Sequence, residues 1–383
     1  MSDNRNQLER SRHRQEKLHR LVRQYQKEKR RKRLFRRVLV AAIILMLFVS
    51  VLIPFGMVRH YQSMTQQVEF REDEVQNTDI STTELEAMKG YWSCVLFGVD
   101  SRDGTVGKGN NADVQIIISA DLDTGDIRLV SIYRDTYLNL GKEYAKINKA
   151  YTSGGPEQAV KALNRNLDLN IDNYATFNWK AVADAIDMLG GVDINVTDQE
   201  FYYMNAYITE TCQKSGISAE NPAAEYLDKA GYQHLNGVQA VAYARLRYTD
   251  DDFERTKRQR AIMMQLLDKA KGTSLLKLNQ IVETVLPETA TNIGLEDALR
   301  VLKNINKFRV SGNAGFPSRF VTKKIGSNGD CVIPADLEKN VQLLHEFLFD
   351  VSDYDVSGTV SELNQKIRSR TGITTKSSEI IRR

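Results

Sequence analysis

The chain is 383 residues long, 42% hydrophobic and 27% charged, which is a globular composition and a length sufficient for one large domain or two ordinary ones. Its net charge of +4 is unevenly placed: Met1–Arg37 holds fifteen Lys/Arg against four Asp/Glu, a surplus of +11, so everything after it carries −7. The sequence contains no zinc-binding spacing, no phosphate-binding P-loop and no Gly-x-Ser-x-Gly elbow, and its three cysteines, Cys94, Cys212 and Cys331, are an odd set without metal-like spacing.

The basic tail, residues 1–37, leads into Val38–Val58, which holds no charge over about the 20 residues that cross a bilayer as helix. Every face of that run is apolar and both flanks are basic or polar, so it reads as one transmembrane helix rather than a buried one. No small-residue cleavage site follows to mark a signal peptide. The positive-inside rule puts the tail in the cytoplasm and the chain from Arg59 onward outside the cell membrane. The tail suits orientation and an anionic lipid surface, and it lacks a nucleic-acid-reading fold, so nucleic acid is not an expected partner. Residues 59–90 are polar and poor in large apolar groups, as a stalk would be.

A folded domain is expected over residues 91–350. Strand patterns run over Trp92–Val99, Val114–Ala120 and Ile127–Tyr133, the last two joined by the hairpin signal Asp123-Thr124-Gly125-Asp126. Pro156 opens a helix with the stripe Ala159, Val160, Leu163 and Leu167. A second helix, Trp179–Leu189, stops at Gly190 and Gly191, and the strand Val192–Val196 follows. Thr197–Ala230 is polar and irregular, like an insertion or lid. Helices resume at Gly237–Ala244, Asp252–Ala270, Leu275–Val285 and Leu295–Lys307, with short strands near Phe320 and Val332 and a final helix over Ala335–Leu348. The segment 351–383 is charged and Ser/Thr-rich, consistent with a flexible tail. This alternation predicts a three-layer α-β-α domain whose central sheet is mixed, because the hairpin forces antiparallel pairing.

Charged residues occupy positions in this domain where the pattern calls for apolar ones. In an up-down meander Asp100, Asp113 and Arg134 fall at one end of the sheet, where two carboxylates suit a hard divalent cation such as magnesium. Arg134 extends the face of Val130 and Ile132, and Lys146 and Asn148 follow in the next loop. Arg245 extends the stripe of Val238, Val241 and Ala242, and Arg247 lies two residues on. In Asp252–Ala270 the inward stripe Ile262, Met263 and Leu266 continues back, at about 100° per residue, into Asp252, Arg255, Arg258 and Gln259, while Lys257 and Arg260 point away. Two carboxylates cannot neutralise Arg134, Lys146, Arg245, Arg247, Arg255 and Arg258, so an anion with more than one charge, such as a lipid diphosphate, is expected to complete the site.

Seven segments in order carry a resemblance to a known family: FGVDSR (97–102), NADVQIII (111–118), SIYRDT (131–136), KINKAY (146–151), MLGGVDINV (188–196), HLNGVQAVAYARLRY (234–248) and DDFERTKRQ (251–259). The chain resembles the LytR-CpsA-Psr family of membrane-anchored cell-wall transferases. The resemblance implies transfer of a glycopolymer phosphate from a polyprenyl diphosphate carrier to a peptidoglycan sugar hydroxyl, outside a single membrane and so in a Gram-positive cell. It implies Mg2+ (or Mn2+) held by Asp100 and Asp113. Phosphate oxygens would meet Arg134, Lys146, Arg245, Arg247, Arg255 and Gln259, and a polyprenyl tunnel would be lined by Phe177, Trp179, Val182, Ile186 and Leu189. Two departures stand out: Asn110 and Asn111 replace an arginine usual before the second Asp, so that one phosphate contact is either missing or made by Arg102, and Tyr133 replaces a proline. Asp135 and Asp252 are the carboxylates that could serve as base, and the sequence does not choose between them. The same pocket would serve a polyprenyl diphosphate phosphohydrolase, a non-catalytic lipid-diphosphate receptor, or a membrane-bound regulator acting through the basic tail.

Overall fold

The structure, a computed structural model, describes residues 60–101, 103–214, 221–247, 252–304, 306–377 and 380–382. The tail 1–37 and the span 38–58 lie outside the described residues, among which no helix is long and apolar enough to cross a membrane. The chain divides into two compact units, Met1–Gln62 and Ser63–Arg383, and everything below concerns the second.

Two short helices, α1 (Glu72–Val75) and α2 (Thr82–Met88), precede the meander of β1 (Tyr91–Val99), β2 (Ala112–Asp121) and β3 (Asp126–Ile132), in which both neighbouring pairs are antiparallel. A small hairpin, β4 (Tyr137–Asn139) and β5 (Tyr144–Lys146), leads into α3 (Asn148–Leu167). Next come β6 (Asn173–Asn178), α4 (Trp179–Met188), β7 (Val192–Val196), α5 (Asp198–Lys214) and β8 (Gly231–Leu235), which pairs with β7. Three helices follow, α6 (Gly237–Arg245), α7 (Asp252–Lys271) and α8 (Leu275–Val285), then β9 (Thr289–Thr291), α9 (Leu295–Asn304) and β10 (Arg309–Phe316). The chain closes with β11 (Arg319–Lys324), β12 (Asp330–Pro334), α10 (Leu337–Phe349), α11 (Gly358–Thr371) and β13 (Ile381–Arg382). The main sheet has the order β10-β3-β2-β1-β6-β9. It is mixed, because β6 and β10 run parallel to β1 and β3 while β9 is antiparallel to β6.

Successive side chains on a strand point to opposite faces, and that period of two sorts the sheet into two layers. Val95, Phe97 and Val99 of β1, Ile117 of β2 and Val130 and Ile132 of β3 share one core with α3, α10 and α11. Ile116, Ile118 and Ala120 of β2 and Ile127 and Leu129 of β3 face the other way, against Met263 and Met264 of α7. Close approach fixes one junction: a Cβ on Gly237 would stand 2.2 Å from Ala183 O, so only glycine lets α6 start against α4. Gly237 N–H also donates to Asp187 Oδ1 at 2.7 Å.

Several expectations are corrected. Thr197–Ala230 is not irregular throughout: half of it is α5, which buries Met204, Ile208 and Thr211. The segment 351–383 is not a free tail, for α11 buries Val360, Leu363 and Ile367 in the main core and β13 pairs with β11. Nor is 59–90 a bare stalk: Gln66 N–H donates to Thr289 O at 2.9 Å, Arg71 pairs with Glu157 at 2.8 Å, and Asn77 Nδ2 donates to Asn164 O at 2.9 Å. The folded unit therefore exceeds 91–350 at both ends. Asn148 opens α3 instead of lying in a loop, and the glycine pair Gly154-Gly155 kinks that helix just before Pro156. All three cysteines are buried and free.

One buried group couples this core to pH. His345 of α10 is fully buried, stacks on Tyr354 with ring centroids 3.6 Å apart and places Nε2 2.9 Å from Leu167 O. Burial lowers its pKa from 6.5 to about 4. Between those values the unfolded chain holds a proton that the folded chain refuses. The group's full stability is therefore present above about pH 6.5 and is lost as pH falls toward 4, a swing of at most about 3 kcal/mol. Unfolding followed from pH 7.5 to 4.5 should give a shallower loss in His345→Phe than in the parent; equal slopes would mean that other groups control acid sensitivity.

Candidate functional site

The site is built around Asp113, at the irregular start of β2, where the β1–β2 register shifts between Gly98 and Val99. Its Oδ1 accepts from Arg134 Nη1 at 2.8 Å, and its Oδ2 from Arg247 Nη2 at 2.7 Å. Its backbone oxygen accepts from Arg255 Nη2 at 3.1 Å. Burial alone would push the Asp113 carboxyl up, but Arg134, Arg255 and Arg247 together hold it below the usual carboxylate range. Beside it, Lys146 Nζ reaches Asp135 Oδ1 at 3.0 Å, and Arg134 Nε lies 3.8 Å from Asp135 Oδ2. Asn148 donates its backbone N–H to Arg134 O at 3.2 Å, which ties the start of α3 to the arginine's backbone. The structure thus brings Asp113, Arg134, Asp135, Lys146, Arg247 and Arg255 together from three strand ends and two helices. Arg102 and the side chain of Asp252 lie outside the described residues.

Charge is balanced more fully than the sequence implied, and the missing carboxylates come from α5. Arg245 Nη1 donates to Thr211 Oγ1 at 2.9 Å, its Nη2 lies 3.5 Å from Glu210, and Tyr207 OH accepts from Arg247 N–H at 3.1 Å. Arg258 is buried, paired with Glu200 at 3.2 Å and donating to Leu246 O at 2.8 Å, so it braces α5 and the Arg245–Arg247 turn rather than joining the Asp113 cluster. Gln259 likewise turns inward, donating to Ala244 O at 3.3 Å. Arg260 was expected to point away, yet it is buried and donates from Nε to Asn313 of β10 at 3.0 Å. α7 is covered on more than one side, so a single inward stripe does not describe it.

Next to the cluster lies an apolar cavity of about 80 Å3 between the sheet and three helices. Leu96, Gly98, Val114, Ile116 and Phe177 form its sheet wall, Trp179, Val182 and Ile186 of α4 and Val241 and Ala244 of α6 its sides, and Gln259, Ile262, Met263 and Leu266 of α7 its cover. Leu189 does not line it. Gly98 matters to its width, because a Cβ there would stand 2.9 Å from Val114 Cβ. Cavity and cluster share boundaries: Val114 follows Asp113 directly, Gln259 lies one turn beyond Arg255, and the Arg245 guanidinium carbon stands 5.9 Å over the Trp179 ring.

Both departures in the motifs have structural reasons. Asn110 Nδ2 donates to Thr105 O at 2.9 Å and Gly107 O at 3.1 Å, so it knits the preceding loop. Tyr133 packs edge-on to Phe253 of α7 at 4.5 Å and near Phe320 of β11 at 5.8 Å, filling an aromatic cluster under Arg134. Its hydroxyl would lie 2.0 Å from a Cβ on Gly315.

The donor set can be weighed for a divalent cation. Asp100 Oδ1 is buried and accepts no hydrogen bond, which fits a carboxylate oxygen awaiting a cation. Both Asp113 oxygens are already engaged by arginines, and no group of three or more His, Cys, Asp or Glu converges among the described residues. Of the two carboxylates, Asp100 keeps an unengaged oxygen that could meet a hard cation, whereas Asp113 would have to share its oxygens with Arg134 and Arg247.

Residues 56–315 match the model of the LytR_cpsA_psr family. The polyisoprenyl-teichoic acid–peptidoglycan teichoic acid transferase TagV of Bacillus subtilis is 29% identical over 222 residues, 56% of this chain and 53% of TagV. The chain spans about half the length of the curated relatives first matched. The crystal structure of B. subtilis TagV aligns with a TM-score of 0.53 at 27% identity, covering 68% of this chain and 98% of that one. A structure of TagT bound to LI-WTA shares the fold, with a TM-score of 0.53 at 20% identity over 78% of this chain and 97% of that one.

Proposed function

Because the chain belongs to the LytR_cpsA_psr family, we propose that it moves a glycopolymer, through its phosphate, from a polyprenyl diphosphate carrier to a sugar hydroxyl of peptidoglycan. One juxtaposition carries the reading: arginines gathered on Asp113 border an apolar cavity, a charge pattern suited to a diphosphate beside a space suited to its lipid. The printed name of TagV, a polyisoprenyl-teichoic acid–peptidoglycan transferase, supports it. In this reading residues 38–58 anchor the chain in the cell membrane of a Gram-positive cell, with the tail inside and Ser63–Arg383 outside.

The chemistry is phosphoryl transfer. A bond forms between the acceptor oxygen and the sugar-linked phosphorus, and the bond from that phosphorus to the bridging oxygen breaks. Polyprenyl phosphate departs, and the hydroxyl proton balances its new charge. Arg134, Arg247 and Arg255 are fixed before the substrate arrives, so their donors meet the developing phosphate charge without reorganisation. Lys146 holds Asp135 beside Arg134, where that carboxylate can take up the hydroxyl proton. Mg2+ or Mn2+ would be held by Asp100 and Asp113 and would supply further positive charge to the phosphate oxygens.

The test uses Ser63–Arg383, a unit with its own core, incubated with a synthetic polyprenyl diphosphate disaccharide, magnesium and uncrosslinked peptidoglycan. Sugar covalently joined to glycan, and lost in Asp100→Ala, is the expected result. Free sugar phosphate without conjugate would make the chain a hydrolase, and tight binding without product would make it a receptor. Because the fragment lacks the basic tail, product formation would also set aside a regulator working through residues 1–37.

A further inference from the structure

The domain is acidic, yet two of its segments are strongly basic. Everything after Arg37 carries −7, while residues 319–324 and 366–376 together hold seven Lys/Arg and no Asp or Glu. The fold puts these segments side by side: Lys323 of β11 donates from Nζ to Thr371 O, at the end of α11, at 2.9 Å. Asp336 and Glu362 are taken up by Arg368 at 3.2 Å and Lys366 at 3.8 Å. Asp330 stands opposite Lys324 in the β11–β12 ladder without closing to an ion pair. Lys323, Lys324, Arg370 and Lys376 are exposed, and among the described residues no carboxylate pairs with any of them.

This patch is continuous with the reacting cluster by two routes. Arg370 holds its guanidinium carbon 4.7 Å over the ring of Tyr144. Tyr144 and Lys146 are two residues apart on β5, so they share one face of that strand about 7 Å apart. The charges of Arg370 and Arg165 both oppose the upward push of burial on the Tyr144 hydroxyl, which brings the exposed end of α3 into the same field. On the other route, Val332 N–H of β12 donates to Asp135 O at 2.9 Å, and β11 is the next strand over, with Lys323 opposite Cys331. Two strand spacings of about 4.8 Å each separate the Asp135 backbone from β11. Lys146, Arg370 and Lys323 thus lie a strand or two apart, on the scale of the Debye length of about 8 Å at physiological salt.

The spacing indicates what the patch fits. A compact phosphate group is gripped by forks that converge on one point, as they do at Asp113. Cations strung along β11, α11 and α3 match instead a row of single charges repeated along a chain, and lysine meets a phosphodiester as a point charge. We propose that this face carries the glycopolymer of the donor, and that the polymer is anionic, with phosphodiesters repeated along it. While its terminal phosphate reacts at the Asp113 cluster, its later repeats lie along Arg370, Lys323 and Arg165. The proposal rests on the transferase reading and gives that reading a substrate class.

The experiment uses the full chain in detergent micelles and two readouts. Binding to a synthetic poly(glycerol phosphate) oligomer is followed by fluorescence anisotropy across a salt series. Transfer is compared between a polyprenyl diphosphate donor bearing that oligomer and one bearing a neutral disaccharide. In Lys323→Gln/Arg370→Gln, oligomer binding should weaken about 25-fold, about fivefold for each cation, with a shallower salt dependence. Lys324→Gln/Lys376→Gln changes side chains that make no hydrogen bond among the described residues and should weaken binding in the same direction, which separates the effect from folding. Transfer from the neutral donor should keep the parent's rate in both variants. Oligomer binding unchanged in both, or neutral-donor transfer falling as far as oligomer-donor transfer, overturns the proposal. Loss of binding to phosphatidylglycerol micelles with oligomer binding intact would assign the patch to lipid and overturn it as well. Failure of the transferase reading looks different: the parent binds the oligomer and the variants lose it, yet neither donor yields conjugate, which leaves the polyanion site standing without the reaction.

Discussion

Replacing Arg134 by alanine is expected to lower kcat/KM for transfer by about 10²–10³-fold, the range seen when one preorganised donor to a developing oxyanion is lost. Arg134 is the residue through which the two carboxylates communicate, reaching Asp113 Oδ1 at 2.8 Å and Asp135 Oδ2 at 3.8 Å. Its side chain is 23% exposed, open enough for a phosphate to reach the guanidinium beside the carboxylates. The fold should tolerate the change, because Asp113 keeps Arg247 and Arg255, and a loss of about 1–2 kcal/mol is the expected scale for one partly exposed member of such a network. Arg134→Lys retains the charge but not the fork and should fall between parent and alanine variant. Steady-state transfer rates beside urea unfolding separate the effects. Transfer within about tenfold of the parent in Arg134→Ala, below the expected loss, would remove the Asp113 cluster from the reaction.

Ending the chain after Val356 should abolish folding of the domain. The missing helix α11 buries Val360, Leu363 and Ile367, and Ile373 beyond it is buried as well. Four aliphatic side chains at about 1.5–3 kcal/mol each represent about 6–12 kcal/mol of gross burial, against a total stability of about 5–15 kcal/mol for a typical domain. Polar ties go with them: Ser357 N–H and Oγ each donate to Asp168 at 2.7 Å, and Asn364 Oδ1 accepts from Leu337 N–H at 2.9 Å. The milder Leu363→Ala should remain folded and lose about 2–4 kcal/mol in urea unfolding. A truncated chain with the parent's unfolding midpoint would return 357–383 to the status of a tail.

The contrast between β1–β3 and α11 shows what could be read from sequence. The three strands are apolar enough for the period of two to stand out, and the hairpin turn fixes their order. In α11 the apolar residues Val360, Leu363 and Ile367 also keep helical spacing, but Ser, Lys and Arg between them lower the mean hydropathy below that of an obvious core element. The same dilution hid α5, where Met204, Ile208 and Cys212 recur every four residues among tyrosines, glutamates and threonines. Missing α5 also distorted the electrostatics. Two of the six cations looked unmatched because Glu200 and Glu210, distant in sequence, could not be assigned to Arg258 and Arg245 without a fold, and a third, Lys146, pairs with Asp135. Arg260 failed for another reason: a helical wheel assumes one buried face, and α7 meets β10 as well as the cavity.

The meeting of Tyr133 with Gly315 makes two distant positions in the sequence inherit each other's freedom. While the tyrosine is present, even a methyl group at 315 would collide with its hydroxyl, and parallel neighbours β3 and β10 would have to part to admit it. With a proline at 133 the obstruction disappears, and 315 becomes an ordinary strand position. The harm done by a substitution at 315 is therefore a property of the pair, non-additive by construction. A lineage that acquired the tyrosine first would have closed off variation at the glycine, and could reopen it only by surrendering the ring.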